Sequence, residues 1–210
     1  QINPFELRMI MEEIFINKRI PEFIIYTGPM FGSKTTKLLA TVDRFKYQNR
    51  EVLAFKPQLD ERYSRSEICT HSGGKIPAIV VKTGDEIIRY VKSNKNNVNV
   101  VAVDEAFMIE GVSKALLYLF KKGKTIVVSS LQLSATGKIF EEVMSMMPWA
   151  TKIEICPAVC TVTGLDAYYT HRKFNSMSEI TVGGSDLYEP RCWYHHSFVN
   201  QTTSTGEKSD

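Results

Sequence analysis

The run Gly28-Pro29-Met30-Phe31-Gly32-Ser33-Lys34-Thr35-Thr36 has the makings of a phosphate-binding loop. In such a loop, backbone N–H groups and the positive end of a following helix face the phosphates. A Lys reaches the β and γ oxygens, and a Ser or Thr hydroxyl binds Mg²⁺. Gly28, Lys34 and Thr35 stand where GxxxxGK[ST] requires them, but the residue before Lys34 is Ser33, with Gly32 one place earlier. The shift matters because a glycine there would absorb a positive φ that costs other residues on the order of 1 kcal/mol or more. A strand–turn–helix corner holding Lys and Thr by chance is the plain alternative for an imperfect motif.

About 70 residues after Lys34, the apolar run Val100-Val101-Ala102-Val103 leads into Asp104-Glu105. A carboxylate at the carboxyl end of a parallel strand near such a loop can hold Mg²⁺ or its water shell. The adjacent Glu105 can then take the proton of an attacking hydroxyl as general base. An acidic pair after a strand is by itself usually a solvated loop start. Its place downstream of the loop reverses that weighting.

A third group is the set of cysteines, Cys69, Cys156, Cys160 and Cys192, the last three standing in the final part of the chain beside His171, His195 and His196. They are too few for a disulfide scaffold in 210 residues, and their clustering points to metal.

These residues need a scaffold that brings strand ends together. Apolar, β-branched runs at 23–26, 52–55, 78–81, 98–103, 125–129 and 152–155 read as strands, and 34–48, 112–122 and 140–147 read as helices. That alternation writes an α/β fold with a parallel, helix-covered sheet. The expected division is an N-terminal extension at 1–21, a core at 22–155, a small loop-rich lobe at 156–197 and a disordered tail at 198–210. With 26 Lys and Arg against 23 Asp and Glu, the net charge of +3 falls short of a dedicated nucleic-acid binder, and no basic stripe interleaved with aromatics is visible. No apolar run approaches the roughly 20 residues of a membrane span, and the first 19 residues lack a secretory apolar region, so the expected location is cytoplasmic.

The segments TGPMFGSKTTKLL, KPQLDERYS with CTHSGG, VDEAF, GKTIVVSSLQLSATGKIF and AYYTHR…ITVGGSDLYEPRC resemble, in order and spacing, the thymidine kinases of vertebrate cytosol, many bacteria, poxviruses and large phages. The resemblance runs from residue 23 to 196. It implies transfer of the ATP γ-phosphate to the 5′-hydroxyl of thymidine, a RecA-like P-loop core, a zinc-bearing lobe, a homotetramer and feedback inhibition by dTTP. It also implies roles: Lys34 and Thr35 on phosphate and Mg²⁺, Asp104 on the metal, Glu105 as base, and Arg62 near the transferring phosphates. Guanidinium geometry suits that last task. Met30, Met108, Leu131 and Phe140 match apolar walls around the base, although core packing is the commoner use of such residues. Tyr188 matches a tyrosine of a lasso loop over thymidine, with Thr170, Thr181, Val182 and Gly183 on the same side. Gly183-Gly184 would let the backbone approach the base edge, which predicts a small pocket that accepts a 5-methyl and rejects purines. His71 matches a loop-supporting histidine.

The family's lobe carries Cys-x2-Cys followed by Cys-x2-Cys or Cys-x2-His. Here Cys192-Trp193-Tyr194-His195 is intact, but the partner of Cys160 is Thr163, a poor zinc ligand. Three readings stay open: zinc with Cys156 as the missing thiolate, zinc with His171 or His196, and no zinc. Ala106-Phe107 after the acids and Ala135 in the segment 132–137 also depart from the family pattern. These departures leave open a kinase for another pyrimidine deoxynucleoside, or a non-catalytic nucleotide-binding module of the same fold.

Overall fold

A computed structural model describes residues 3–17, 20–58, 66–70, 72–173, 184–196 and 199, with the backbone only at 11–17. Arg62, His71, Thr181, Val182 and Gly183 lie outside the described residues. The described chain opens with α1 (Pro4–Asn17). Asn3 caps it: its Oδ1 accepts the N–H groups of Phe5 and Glu6, while Glu6 reaches back to the Asn3 N–H. β1 (Phe23–Thr27) follows and runs into α2 (Lys34–Tyr47), then β2 (Val52–Pro57). A hairpin of β3 (Glu67–Cys69) and β4 (Lys75–Pro77) precedes β5 (Ile79–Val81) and α3 (Gly84–Ser93). β6 (Val100–Val103), α4 (Val112–Lys121), β7 (Thr125–Ser130), α5 (Glu141–Met146) and β8 (Lys152–Ile155) complete the larger part.

Six of these strands form one parallel sheet in the order β5-β2-β6-β7-β1-β8. Alternation along each strand sends successive side chains to opposite faces. Phe23 and Ile25 of β1, with Val101 and Val103 of β6, pack on one face against Ile87 and Val91 of α3 and Val112 and Leu116 of α4. Ile24 and Tyr26, with Val100 and Ala102, pack on the other against Leu38, Val42 and Phe45 of α2. Both faces are covered, which is why these strands read as unbroken apolar runs. The expected α/β fold with a parallel sheet is present, and its six strands fall where the sequence places them. The helix α3 is an addition. β6, which leads into Asp104, is separated from β1 by β7.

The remaining elements are short. β9 (Ala158–Val159) pairs with β10 (Asp166–Ala167), and β11 (Tyr169–Arg172) pairs with β12 (Tyr188–Arg191), both antiparallel. Their small core consists of Ala158, Cys160, Ala167 and Cys192, with Phe31 of the phosphate loop packed against it. A lobe this small draws part of its apolar filling from the sheet domain.

Candidate active site

The carboxyl ends of β1, β2, β6 and β7 come to one edge of the sheet, as open α/β sheets require for a ligand crevice. After β1 the chain turns through Gly28 at φ +132° and passes close beneath Cys156: a Cβ on Gly28 or Gly32 would fall 2.4 or 2.5 Å from the Cys156 carbonyl oxygen. Ser33 has φ −76° and ψ 28°, so the residue before Lys34 needs no glycine here. The left-handed position is Phe31, at φ 64°. Its ring sits on the small lobe's core, which compensates a strained backbone. The Lys34 ammonium is buried and donates to the Pro29 carbonyl, which also accepts the Gly32 N–H at 3.3 Å.

At the end of β6, Asp104 is buried. Its Oδ1 accepts the Thr35 hydroxyl at 3.1 Å and also the Ser129 hydroxyl from the intervening strand β7. Thus the first turn of α2 and the acid after β6 meet although their strands are not neighbours. Glu105 takes a left-handed backbone at φ 49°, a conformation that is costly for a residue other than glycine. One pocket is bordered by Met30, Lys34, Thr35, Thr36, Asp104 and Glu105. Lys56 and Gly184 also reach it. Lys56 is buried at the end of β2 and donates to the Glu67 carbonyl at 3.4 Å. The sequence reading passes over Lys56 and Ser129, although a lysine and a serine closing buried strands were legible signals.

Next to this pocket, the Phe107 N–H donates to Ser130 Oγ at 3.1 Å, and its ring lies 4.6 Å from that of Phe140, tilted by 42°. Met108 belongs to the same short 3₁₀ turn as Phe107, and buried Leu131 follows Ser130. Met108, Leu131 and Phe140 are therefore linked through Phe107, a residue the sequence marks only as a departure. Tyr188 is buried on β12, and its N–H donates to the Gly184 carbonyl at 3.0 Å. The Thr170 hydroxyl accepts the Met30 N–H at 3.0 Å, and the Thr170 carbonyl accepts from His196 Nε2 at 2.9 Å. Thr170 thus spends its polar groups within the protein.

In the small lobe, Cys160, Cys192 and His195 bring their ligand atoms within 4.8 Å of one another. Cys192 Sγ and His195 Nδ1 are 3.5 Å apart. Burial raises the Cys160 thiol, but hydrogen bonds from the Thr163 hydroxyl and from the backbone N–H groups of Cys192, Val162 and Thr163 outweigh it, taking the thiol down to about 6. Two thiols and an imidazole converging in this way fit a zinc ion's donor set.

Cys156, expected from the sequence as the missing thiolate, is not part of this group. Its N–H donates to the Thr27 carbonyl at 2.7 Å, continuing the β1–β8 ladder, and its side chain is buried in the core beneath α2. Burial pushes its thiol up, the opposite of what a ligand needs. Neither His171 nor His196 joins the cluster: His196 is bonded to Thr170, and the His171 ring stands edge-on to it at 5.8 Å. Burial lowers both imidazoles from their ordinary value.

A family model described as thymidine kinase matches residues 22–196. The chain is 35% identical over 183 residues to a thymidine kinase of Pyrobaculum aerophilum, covering 82% of this chain and 97% of that one. It is 34% identical over 181 residues to a thymidine kinase of Thermococcus kodakarensis, covering 82% and 92%. To a thymidine kinase of Onion yellows phytoplasma it is 31% identical over 184 residues, covering 84% and 87%. With a family model over residues 22–196 and these relatives aligned over most of their length, the chain belongs to the thymidine kinase family.

Proposed function

We propose that this chain transfers the γ-phosphate of ATP to the 5′-hydroxyl of thymidine, with Glu105 as the general base. The observation that carries the chemistry is the approach of Thr35 Oγ1 to Asp104 Oδ1 at 3.1 Å, beside the Lys34 ammonium. The relatives' names carry the substrate. Thr35 and Asp104 are the residues that would hold Mg²⁺, which supplies charge neutralisation on the β- and γ-phosphates when bound with ATP. Lys34 draws the γ-phosphate oxygens, and the backbone of Gly28, Pro29, Phe31, Gly32, Ser33 and Thr36 lines the triphosphate. Arg62 approaches the transferring group. Glu105 accepts the proton of the 5′-hydroxyl as that oxygen attacks.

On the nucleoside side, Met30, Met108, Leu131 and Phe140 form apolar walls. Tyr188, Thr181, Val182 and Gly183 close over the base, while Thr170 positions the phosphate loop. Residues 22–155 act as the kinase core and 156–197 as a lobe whose Cys160, Cys192 and His195 would hold structural Zn²⁺. A homotetramer, feedback inhibition by dTTP and a cytoplasmic location complete the proposal. Among the described residues, no helix is long and apolar enough to cross a membrane.

The test is a phosphoryl-transfer assay over the four deoxynucleosides, with and without Mg²⁺. Thymidine-dependent ADP release that needs Mg²⁺ is the expected result. ATP binding with no nucleoside-dependent release would instead mean a non-catalytic module. Faster turnover of another pyrimidine deoxynucleoside would replace thymidine as substrate.

A further inference from the structure

The segment Cys160-Thr161-Val162-Thr163-Gly164 keeps the backbone of a metal-binding knuckle but lacks its second sulfur. Gly164 takes φ 73°, and its N–H donates to the Cys160 carbonyl at 2.9 Å. The Leu165 N–H donates to Thr163 Oγ1 at 3.3 Å, the bond a sulfur at residue 163 would accept. Thr163 Oγ1 also lies 3.7 Å from Cys192 Sγ. The hydroxyl therefore faces the same point as Cys160, Cys192 and His195.

Distances at the cluster suit tetrahedral zinc. Ligand bonds of about 2.3 Å to sulfur and about 2.0 Å to nitrogen place those two atoms about 3.5 Å apart. Cys192 Sγ and His195 Nδ1 stand at 3.5 Å. Other soft donors among the described residues are engaged elsewhere. Cys156 is buried in the main core, Cys69 borders the phosphate pocket, and His196 is bonded to Thr170. A neutral alcohol is not among zinc's usual ligands, and zinc sites with three protein ligands complete their shell from solvent or substrate. The cluster is also reachable, since Val162, Thr163 and His195 are exposed.

We propose that Cys160, Cys192 and His195 form a three-ligand zinc site whose fourth position, beside the Thr163 hydroxyl, is completed from solvent and exchanges with an added small thiol. The proposal rests on reading the cluster as the lobe's zinc site and goes beyond it in assigning the fourth ligand. On exchange, one metal–oxygen bond to water is replaced by one metal–sulfur bond, and the thiol's proton passes to solvent. In a chain with a third cysteine at residue 163 the protein would fill that position itself.

The experiment loads the full chain with Co²⁺, titrates it with 2-mercaptoethanol and follows the sulfur-to-metal charge-transfer band and the d–d bands. The wild-type spectrum is expected to gain charge-transfer intensity and approach that of Thr163→Cys, which itself should not respond. In competition with a chelator, Thr163→Cys should hold Zn²⁺ tighter by more than the roughly 10–100-fold that a lost outer-shell partner costs. Thr163→Val should weaken binding by no more than the roughly 10–100-fold of a lost outer-shell partner, since it removes a hydroxyl beside Cys160 and Cys192 but no ligand. A wild-type spectrum indifferent to thiol, or a Thr163→Val variant that binds as weakly as one lacking a ligand, overturns the proposal while leaving the zinc site standing. Failure of wild type and Thr163→Cys alike to take up either metal removes the site itself. Neither outcome bears on phosphoryl transfer, which the nucleoside assay measures separately.

Discussion

The Met30 N–H donates to Thr170 Oγ1 at 3.0 Å, so a residue of the β11–β12 ribbon fixes the phosphate loop from outside. Because Thr170 also receives His196 at its carbonyl, one buried threonine joins the loop to the turn that follows Cys192. Replacing Thr170 by Val preserves the shape and removes the acceptor. Leaving one buried donor unsatisfied costs about 1–3 kcal/mol. Thermal unfolding of Thr170→Val should show that loss, and KM for ATP should rise. Unchanged Tm and KM would mean that Met30 finds another acceptor and that Thr170 positions nothing.

Glu105→Gln separates binding from chemistry. The amide keeps the size of the side chain and cannot take a proton, so kcat should fall by roughly 10²–10⁴. Calorimetric ATP affinity should stay near wild type, because Lys34, Thr35 and Asp104 are untouched. Near-normal turnover would remove Glu105 from the reaction.

Two substitutions in the phosphate loop have opposite expected outcomes. Gly32→Ala places a Cβ 2.5 Å from a backbone oxygen of Cys156, which no side-chain rearrangement relieves. ATP binding should be lost, with a lowered Tm. Ser33→Gly restores the motif's glycine but relieves nothing, since Ser33 already sits at φ −76°. Its ATP affinity should match wild type within the few tenths of a kcal/mol that a Ser-to-Gly change at a helix start costs. A clear gain for Ser33→Gly would show that the loop rearranges when it binds.

Acid sensitivity should centre on Glu154. Hydrogen bonds from Lys37 of α2 and from Lys152 at 3.0 Å hold its carboxyl below the ordinary carboxylate value. A carboxyl held low in the folded chain stabilises fully above its unfolded pKa near 4.3, and that contribution disappears as pH falls through the folded value. Glu154 is partly exposed, so the contribution is at most about 1 kcal/mol. Urea unfolding of wild type and Glu154→Gln should differ near neutral pH and converge as pH falls through the folded value. An equal gap at both ends would assign the difference to packing.

How legible all this is in the sequence depends on how local each cause is. The six strands of the sheet and the helices α2, α4 and α5 are written as apolar periodicity, and burial on both faces makes the strands plain. Helix α3 carries Asp85 and Glu86 in its first turn, with Ile87 and Val91 one turn apart, a readable pattern masked by the neighbouring short strand. The short strands of the small lobe have no periodicity to display. They follow from contacts with Phe31 and from the knuckle turns. The motif's missing glycine misleads because the positive φ has moved to Phe31, which no spacing rule anticipates. Likewise, Cys156 looks like the nearest spare sulfur along the chain. Its backbone bond to Thr27 commits it to the sheet. Ser129 reaches Asp104 only because β7 intervenes, a fact of strand order rather than of sequence.

The Cys156 carbonyl fills the space that side chains on Gly28 and Gly32 would occupy, and its N–H is tied to Thr27. A hinge between the sheet and the short strands that follow it would therefore lie beyond this residue. The stiff ring of Pro157 is the first link past the anchor. Such a hinge would still carry Met30 and Phe31 with it, since Thr170 and the core around Cys160 hold them.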